Sequence, residues 1–153
     1  MKRKQASKKS DIALGSGTLS RKEMEALLNT LPVDITFVDA KDTVRYFNKE
    51  GERIFPRTKA VIGRKVQQCH PPKSIGKVNE ILSGFKSGKS NAANFWINLK
   101  GRPPLKEGVS GRLQSLIYIR YFAVRDGKGK YLGCLEVTQD ITDIKRIEGE
   151  KRL

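Results

Sequence analysis

The chain has 153 residues, a length that fits one domain able to bury a core without disulfides or a structural metal. No apolar run approaches the ~20 residues that cross a bilayer, and no signal-peptide core follows the basic start, so the expectation is a soluble, cytoplasmic protein without membrane contact. Lys and Arg total 31 against 16 acidic residues, a net charge of +15 that keeps anionic partners in view, while two cysteines outside any CxxC pair exclude a zinc ribbon or thioredoxin-type site.

Residues 1–17 are polar, basic and Gly/Ser-punctuated, and read as a disordered arm carrying Lys2, Arg3, Lys4, Lys8 and Lys9. Residues 18–31 read as a helical cap: Ser20 and Glu23 have capping-box spacing, and Met24, Leu27 and Leu28 share one helical face. Pro32 closes that helix. A main domain then runs over 32–142. DITFVDA and VRYFN, separated by a turn at Lys41 and Asp42, form a β-hairpin.

From Lys49 to Ser74 the apolar clusters are short and broken by Gly51, Pro56, Gly63, Pro71 and Pro72, a pattern of one- and two-turn helices. A longer helix starts at Ser74, with Ile75, Val78, Ile81, Leu82 and Phe85 on one face and Gly88 as its stop. NAANFWINLK, SLIYIRYFAVRD and KYLGCLEVTQDIT are strands. DGKG joins the last two tightly, and a Gly/Pro-rich excursion over 102–115 separates the first two. Residues 143–153 are charged and helix-prone, with Ile144 and Ile147 on one face, and read as an exit helix. The order specifies an α+β fold, a sheet with helices segregated to one side.

Catalytic motifs are missing. The chain has no nucleophile elbow, Walker loop, HExxH or GxGxxG, and no phosphoacceptor histidine in the exit segment, so it does not read as an enzyme. The charge reads first as a solvated Lys-rich surface. No RNP-type stacking motif or recognition helix supports nucleic acid, which leaves a regulator using residues 1–10 as an alternative.

The element order, and the ending in which a Gly-containing turn feeds a strand closing on Asp140-Ile141-Thr142, resemble a PAS domain. LPVDITFVD, VRYFN, ERIFPRTKAVIGR, VQQCHPPKS, FWI, IYIRYFAVRD, YLGCLEVTQDIT and EGEKRL look like one bacterial and archaeal subgroup of it. Longer members of that subgroup place the domain after a domain of unknown function and a hemerythrin-like domain; the basic arm stands in their place here. The resemblance implies a five-stranded antiparallel sheet with short helices on one face, and a sensory module that binds a small molecule or cofactor. It would relay through a homodimer and the exit helix, with Asp140 and Thr142 capping that helix. A ligand-free protein-interaction module, its pocket filled by Trp96 and Tyr121, is the alternative.

Matched to the PAS pattern, strand alternation turns Thr36, Val38, Trp96, Ile117, Ile119, Tyr121, Ala123, Cys134, Glu136 and Thr138 inward. It turns Phe95, Ile97, Leu99, Tyr118, Phe122, Leu135 and Val137 outward, an apolar face that a second copy and the Ser20–Asn29 helix would cover. A pocket-side Glu136 requires a partner: a ligand, or Arg120 if the register slips. His70, the single histidine, joins the candidate pocket. Haem is an open cofactor because some PAS sensors ligate it through a helical histidine, making His70 or Cys69 a candidate iron ligand, although one His and one Cys form no closed metal site. Flavin photochemistry has less support, since the Asn-Cys-Arg motif of light-sensing relatives is missing.

Overall fold

Two units make up the chain, Met1–Pro32 and Val33–Leu153, in a computed structural model that describes residues 11–102 and 112–153. In the first unit, strands β1 (Asp11–Leu14) and β2 (Gly17–Ser20) form an antiparallel hairpin, with Ile12 opposite Leu19. Residues 11–17, expected to belong to a disordered arm, are instead part of this hairpin. Gly15-Ser16, counted in the sequence as linker composition, is a two-residue hairpin turn between IAL and TLS. Residues 1–10 lie outside the described residues.

Helix α1 (Arg21–Thr30) begins where the capping box requires. The Glu23 N–H donates to Ser20 Oγ at 3.2 Å, and Glu23 Oε2 accepts from the Ser20 N–H at 2.8 Å. Each group satisfies a donor that the first helical turn leaves without an intrahelical partner.

In the second unit, strands β3 (Asp34–Asp39), β4 (Val44–Phe47), β5 (Ala92–Arg102), β6 (Arg112–Arg125) and β7 (Tyr131–Asp140) form one sheet in the order β4-β3-β7-β6-β5, every neighbouring pair antiparallel. Two 3-10 turns, Lys59–Val61 and Val66–Cys69, occupy the segment between β4 and helix α2 (Pro72–Ser87). That helix begins two residues before the Ser74 expected, because Pro72 fits the first helical turn, where no intrahelical donor is needed. Gly88 closes it at φ 77°, its N–H donating to Phe85 O.

Valines from the hairpin and the short turns meet the apolar stripe of α2 in the core. Val38, Val44, Val66, Leu82, Phe85 and Cys134 are all buried together. Lys86 Nζ lies 2.7 Å from Asp42 Oδ1, fastening the end of α2 to the β3–β4 turn. The β6–β7 turn is held by Asp126, whose Oδ1 accepts from the N–H groups of Lys128 and Lys130, both at 2.9 Å. The excursion between β5 and β6 leaves 103–111 outside the described residues; β5 reaches Arg102 and β6 starts at Arg112.

After Thr142 the exit helix expected over 143–153 does not form. One 3-10 turn, Ile144–Arg146, is followed by irregular chain with Gly149 at φ 65°. Gly149 at a positive φ interrupts the helical period, and Ile144 and Ile147, 50% and 73% exposed, gain no packing that would hold a helix. Among the described residues no helix is long and apolar enough to cross a membrane.

Candidate functional site

Register decides which side chains share the inner face. Thr36 pairs with Glu136, Val38 with Cys134, Tyr121 with Glu136, and Ala123 with Cys134, so these residues line one face as expected. Strand β5 differs. Trp96 pairs with Tyr118, while Phe95 pairs with Ile119 and Ile97 with Ile117. Directly paired residues point the same way, so Phe95, Ile97 and Leu99 turn inward and Trp96 turns outward, the reverse of the sequence reading. The Phe95 ring packs 5.7 Å from that of Tyr121, and Trp96 is 64% exposed. No charge or turn inside FWINL marks which residue of the alternation faces in. The phase of β5 comes only from its pairing with β6.

The inner face closes over a cavity of about 20 Å³, room for roughly one water molecule. Thr36, Val38, His70, Tyr121, Cys134 and Glu136 line it, as the sequence reading anticipated. Val44, Val66 and the α2 side chains Val78, Ile81 and Leu82 complete an apolar wall. Ile119 and Thr138 share the inner face and are buried, but they sit one register step further along the sheet and do not reach the cavity.

Arg57 is the residue that sequence reasoning missed. It stands in the irregular segment before Lys59, and its Nη2 reaches Glu136 at 3.2 Å (Oε1) and 3.4 Å (Oε2). Tyr121 donates its hydroxyl to Glu136 Oε2 at 3.3 Å. The carboxylate thus has an internal cation and an internal donor, and Arg120 is not its partner. Burial, followed by the charge of Glu136, holds the Tyr121 phenol protonated well above its usual range. Burial with the same neighbouring charge pushes the Cys134 thiol up to about 12.

His70 Nδ1 lies 2.9 Å from Val66 O, the geometry of an Nδ1–H donating to a carbonyl. The ring borders the cavity. Cys69 instead directs its thiol to Lys65 O at 3.7 Å and is not a cavity residue. A haem or flavin ring system does not fit a space of one water molecule, and the described residues hold no cluster of His, Cys, Asp and Glu suited to a metal. The geometry does not match the cofactors that the resemblance raised.

Beside the cavity, Arg53 is only 7% exposed. Its Nη1 donates to Ile35 O (3.1 Å) and Asn48 O (2.7 Å), and its Nη2 to Thr36 Oγ1 (3.1 Å). Asn48 accepts from the Ile35 N–H at 2.7 Å and donates to Val33 O at 3.1 Å. Asp34 accepts from the Ile54 N–H at 2.7 Å. These bonds hold the segment that carries Arg57 against β3 and β4. Burial lowers the Arg53 pKa from its ordinary value, opposed mainly by Asp34.

Asp140 and Thr142 have a different task from the one expected. Asp140 Oδ1 accepts from the Thr142 N–H at 3.0 Å and from its hydroxyl at 2.5 Å, while Thr142 Oγ1 accepts from the Leu116 N–H at 2.9 Å. Instead of capping an exit helix, the pair locks the end of β7 to β6.

A sequence model described as a PAS domain matches residues 24–142. A crystal structure of a C-terminal domain from Streptococcus mutans is similar at 34% identity and a TM-score of 0.76, over 91% of this chain and 98% of that one. The PAS domain of a Colwellia psychrerythraea protein is similar at 17% identity and a TM-score of 0.54, over 80% and 97%. The PAS domain of Bordetella pertussis BvgS is similar at 17% and 0.53, over 82% and 90%. Curated proteins give no match.

Proposed function

For this chain, which belongs to the PAS domain family, we propose a sensor role in which a compact polar ligand is read through Arg57, Tyr121 and Glu136. The observation that carries the reading is the buried Arg57–Glu136 pair bordering a mostly apolar cavity. A buried ion pair is often no more stabilising than apolar side chains of the same volume, so stability alone accounts poorly for this one. A ligand inserted between them would present an anion to Arg57 and a donor to Glu136, with its apolar part against Val44, Val66 and Leu82. Room for it requires the Arg57 segment to swing out, and that segment is short turns and irregular chain.

Glu136 lies four residues before Asp140 on β7. A ligand that parts Glu136 from Arg57 pulls on the strand whose end is locked to β6 by Thr142. The shift is limited to the ligand's differential affinity for the two states. Dimerisation would carry the signal outward, and α1 suits it, since none of its residues is buried and Leu27 is 51% exposed.

The test uses compact zwitterions, such as leucine and valine, beside the matching monocarboxylates and monoamines, read by thermal shift and light scattering. Zwitterion-specific stabilisation, lost in Glu136→Gln, is the expected result. No shift with any of the three classes would sink the reading. It would leave the second one, a partner-binding module with a closed interior, which the one-water size of the cavity favours.

A further inference from the structure

The outer face of the β5–β6 half of the sheet lies on the opposite side from the cavity. Trp96 projects there opposite Tyr118, and it borders a groove of about 660 Å³ with Asn98, Gln114, Leu116, Thr142, Lys145 and Arg146. That volume falls within the roughly 300–1,000 Å³ of small-ligand sites. An indole left 64% exposed on a strand is an unfilled contact, and its surroundings indicate the chemistry that would fill it.

No outward position of β5 or β6 is an Asp or Glu. The Arg120 guanidinium lies 5.1 Å from the Tyr118 ring centroid and 5.9 Å from that of Phe122, and no carboxylate pairs with it among the described residues. The face therefore combines aromatic rings, a planar cation, two exposed cations at Lys145 and Arg146, and the amides of Asn98 and Gln114. Phosphates meet cations, bases stack on aromatic faces, and amides bond base edges. An acidic peptide would use the cations and leave the aromatic rings without a role. A membrane would use the indole and leave the amides facing lipid.

We propose that this face binds single-stranded nucleic acid, one base stacking on Trp96 and the flanking phosphates meeting Lys145 and Arg146. A linear motif search looks for stacking residues along one strand. Here the aromatic rings come from two strands and the cations from a turn, and only the sheet brings them together.

Trp96 is the chain's single tryptophan, so its emission reports on this face alone. The full chain is titrated with a labelled ~12-nucleotide oligothymidylate, a length within the range that single-strand-binding sites cover. Anisotropy of the label and Trp96 emission are followed from about 50 to about 200 mM salt. Binding with quenching of Trp96 is expected. Trp96→Ala should weaken binding at least about fivefold with an unchanged circular dichroism spectrum. Lys145→Gln with Arg146→Gln should flatten the salt dependence by about 1.4 in log–log slope.

No binding at about 50 mM salt overturns the proposal. So does binding that survives both sets of substitutions but is lost on deleting residues 1–10. Trp96 emission that responds to protein concentration, or to phosphatidylserine vesicles, but not to oligonucleotide would assign the face to a second copy or a membrane instead.

Discussion

Arg57 and Glu136 meet across 79 residues of chain, Nη2 to Oε1 at 3.2 Å, with their side chains 13% and 9% exposed. One comes from irregular chain between β4 and α2, the other from the strand that ends in Asp140. The pair ties the irregular wall of the cavity to a strand of the sheet.

That geometry makes the pair a stability element as well as a candidate ligand contact. Glu136→Gln keeps an acceptor for Tyr121 but leaves Arg57 as a buried cation with no opposite charge, and Arg57→Gln does the converse. Each single change should cost about 1–3 kcal/mol in urea unfolding. The double variant should cost less than the two added together by about 1 kcal/mol or more. Strict additivity would show that the two charges do not support each other.

Stability should fall at alkaline pH. The Cys134 thiol is raised from 9 to about 12 by burial and then by the charge of Glu136, and Tyr131 from 10 to about 12, chiefly by burial. Between those values the unfolded chain releases protons that the folded chain keeps. The contribution is complete below pH 9 and is lost as pH rises towards 12. Cys134→Ala should flatten the part of the decline that starts near pH 9. The same burial predicts that a thiol reagent at about pH 8 labels Cys69 in the folded protein and reaches Cys134 only after denaturation. Equal labelling rates would contradict the buried placement.

Gly133 is set by close approach. A Cβ there would come 2.1 Å from Val38 O and 2.8 Å from the Phe37 ring. Backbone has little freedom to retreat inside a paired strand. Gly133→Ala should therefore destabilise by about 1–3 kcal/mol or more, whereas Gly127→Ala, which meets nothing within 4 Å, should be close to neutral. Thermal melts of the two variants make the comparison, and equal melting temperatures would count against the β3–β7 packing described.

Arg53→Lys tests the network behind the cavity. Lysine keeps a charge but cannot reach Ile35 O, Asn48 O and Thr36 Oγ1 together from one planar fork. A loss of about 1–3 kcal/mol is expected. Retention of full stability would show that the bonds are replaceable by water.

Local sequence signals specified what lies close along the chain. The Ser20/Glu23 capping box, the apolar stripe of α2, the Gly88 stop, the DGKG turn and the parity of β6 and β7 were all legible, because each depends on neighbours within a few residues or on an unbroken alternation. The order of elements followed from them, and matching that order to the PAS pattern put Thr36, Tyr121, Cys134 and Glu136 on one face of the sheet. Tertiary structure decided the rest. The phase of β5 was set by its hydrogen bonds to β6, which moved Trp96 to the outer face. The partner of Glu136 was set by where an irregular segment folds back, a choice that no periodicity encodes. Asp140 and Thr142 had the residue types of a helix cap, but only a 3-10 turn at Ile144–Arg146 follows them. Their hydrogen bonds went to each other and to Leu116 in β6, since a half-buried strand end satisfies its polar groups with whatever lies beside it.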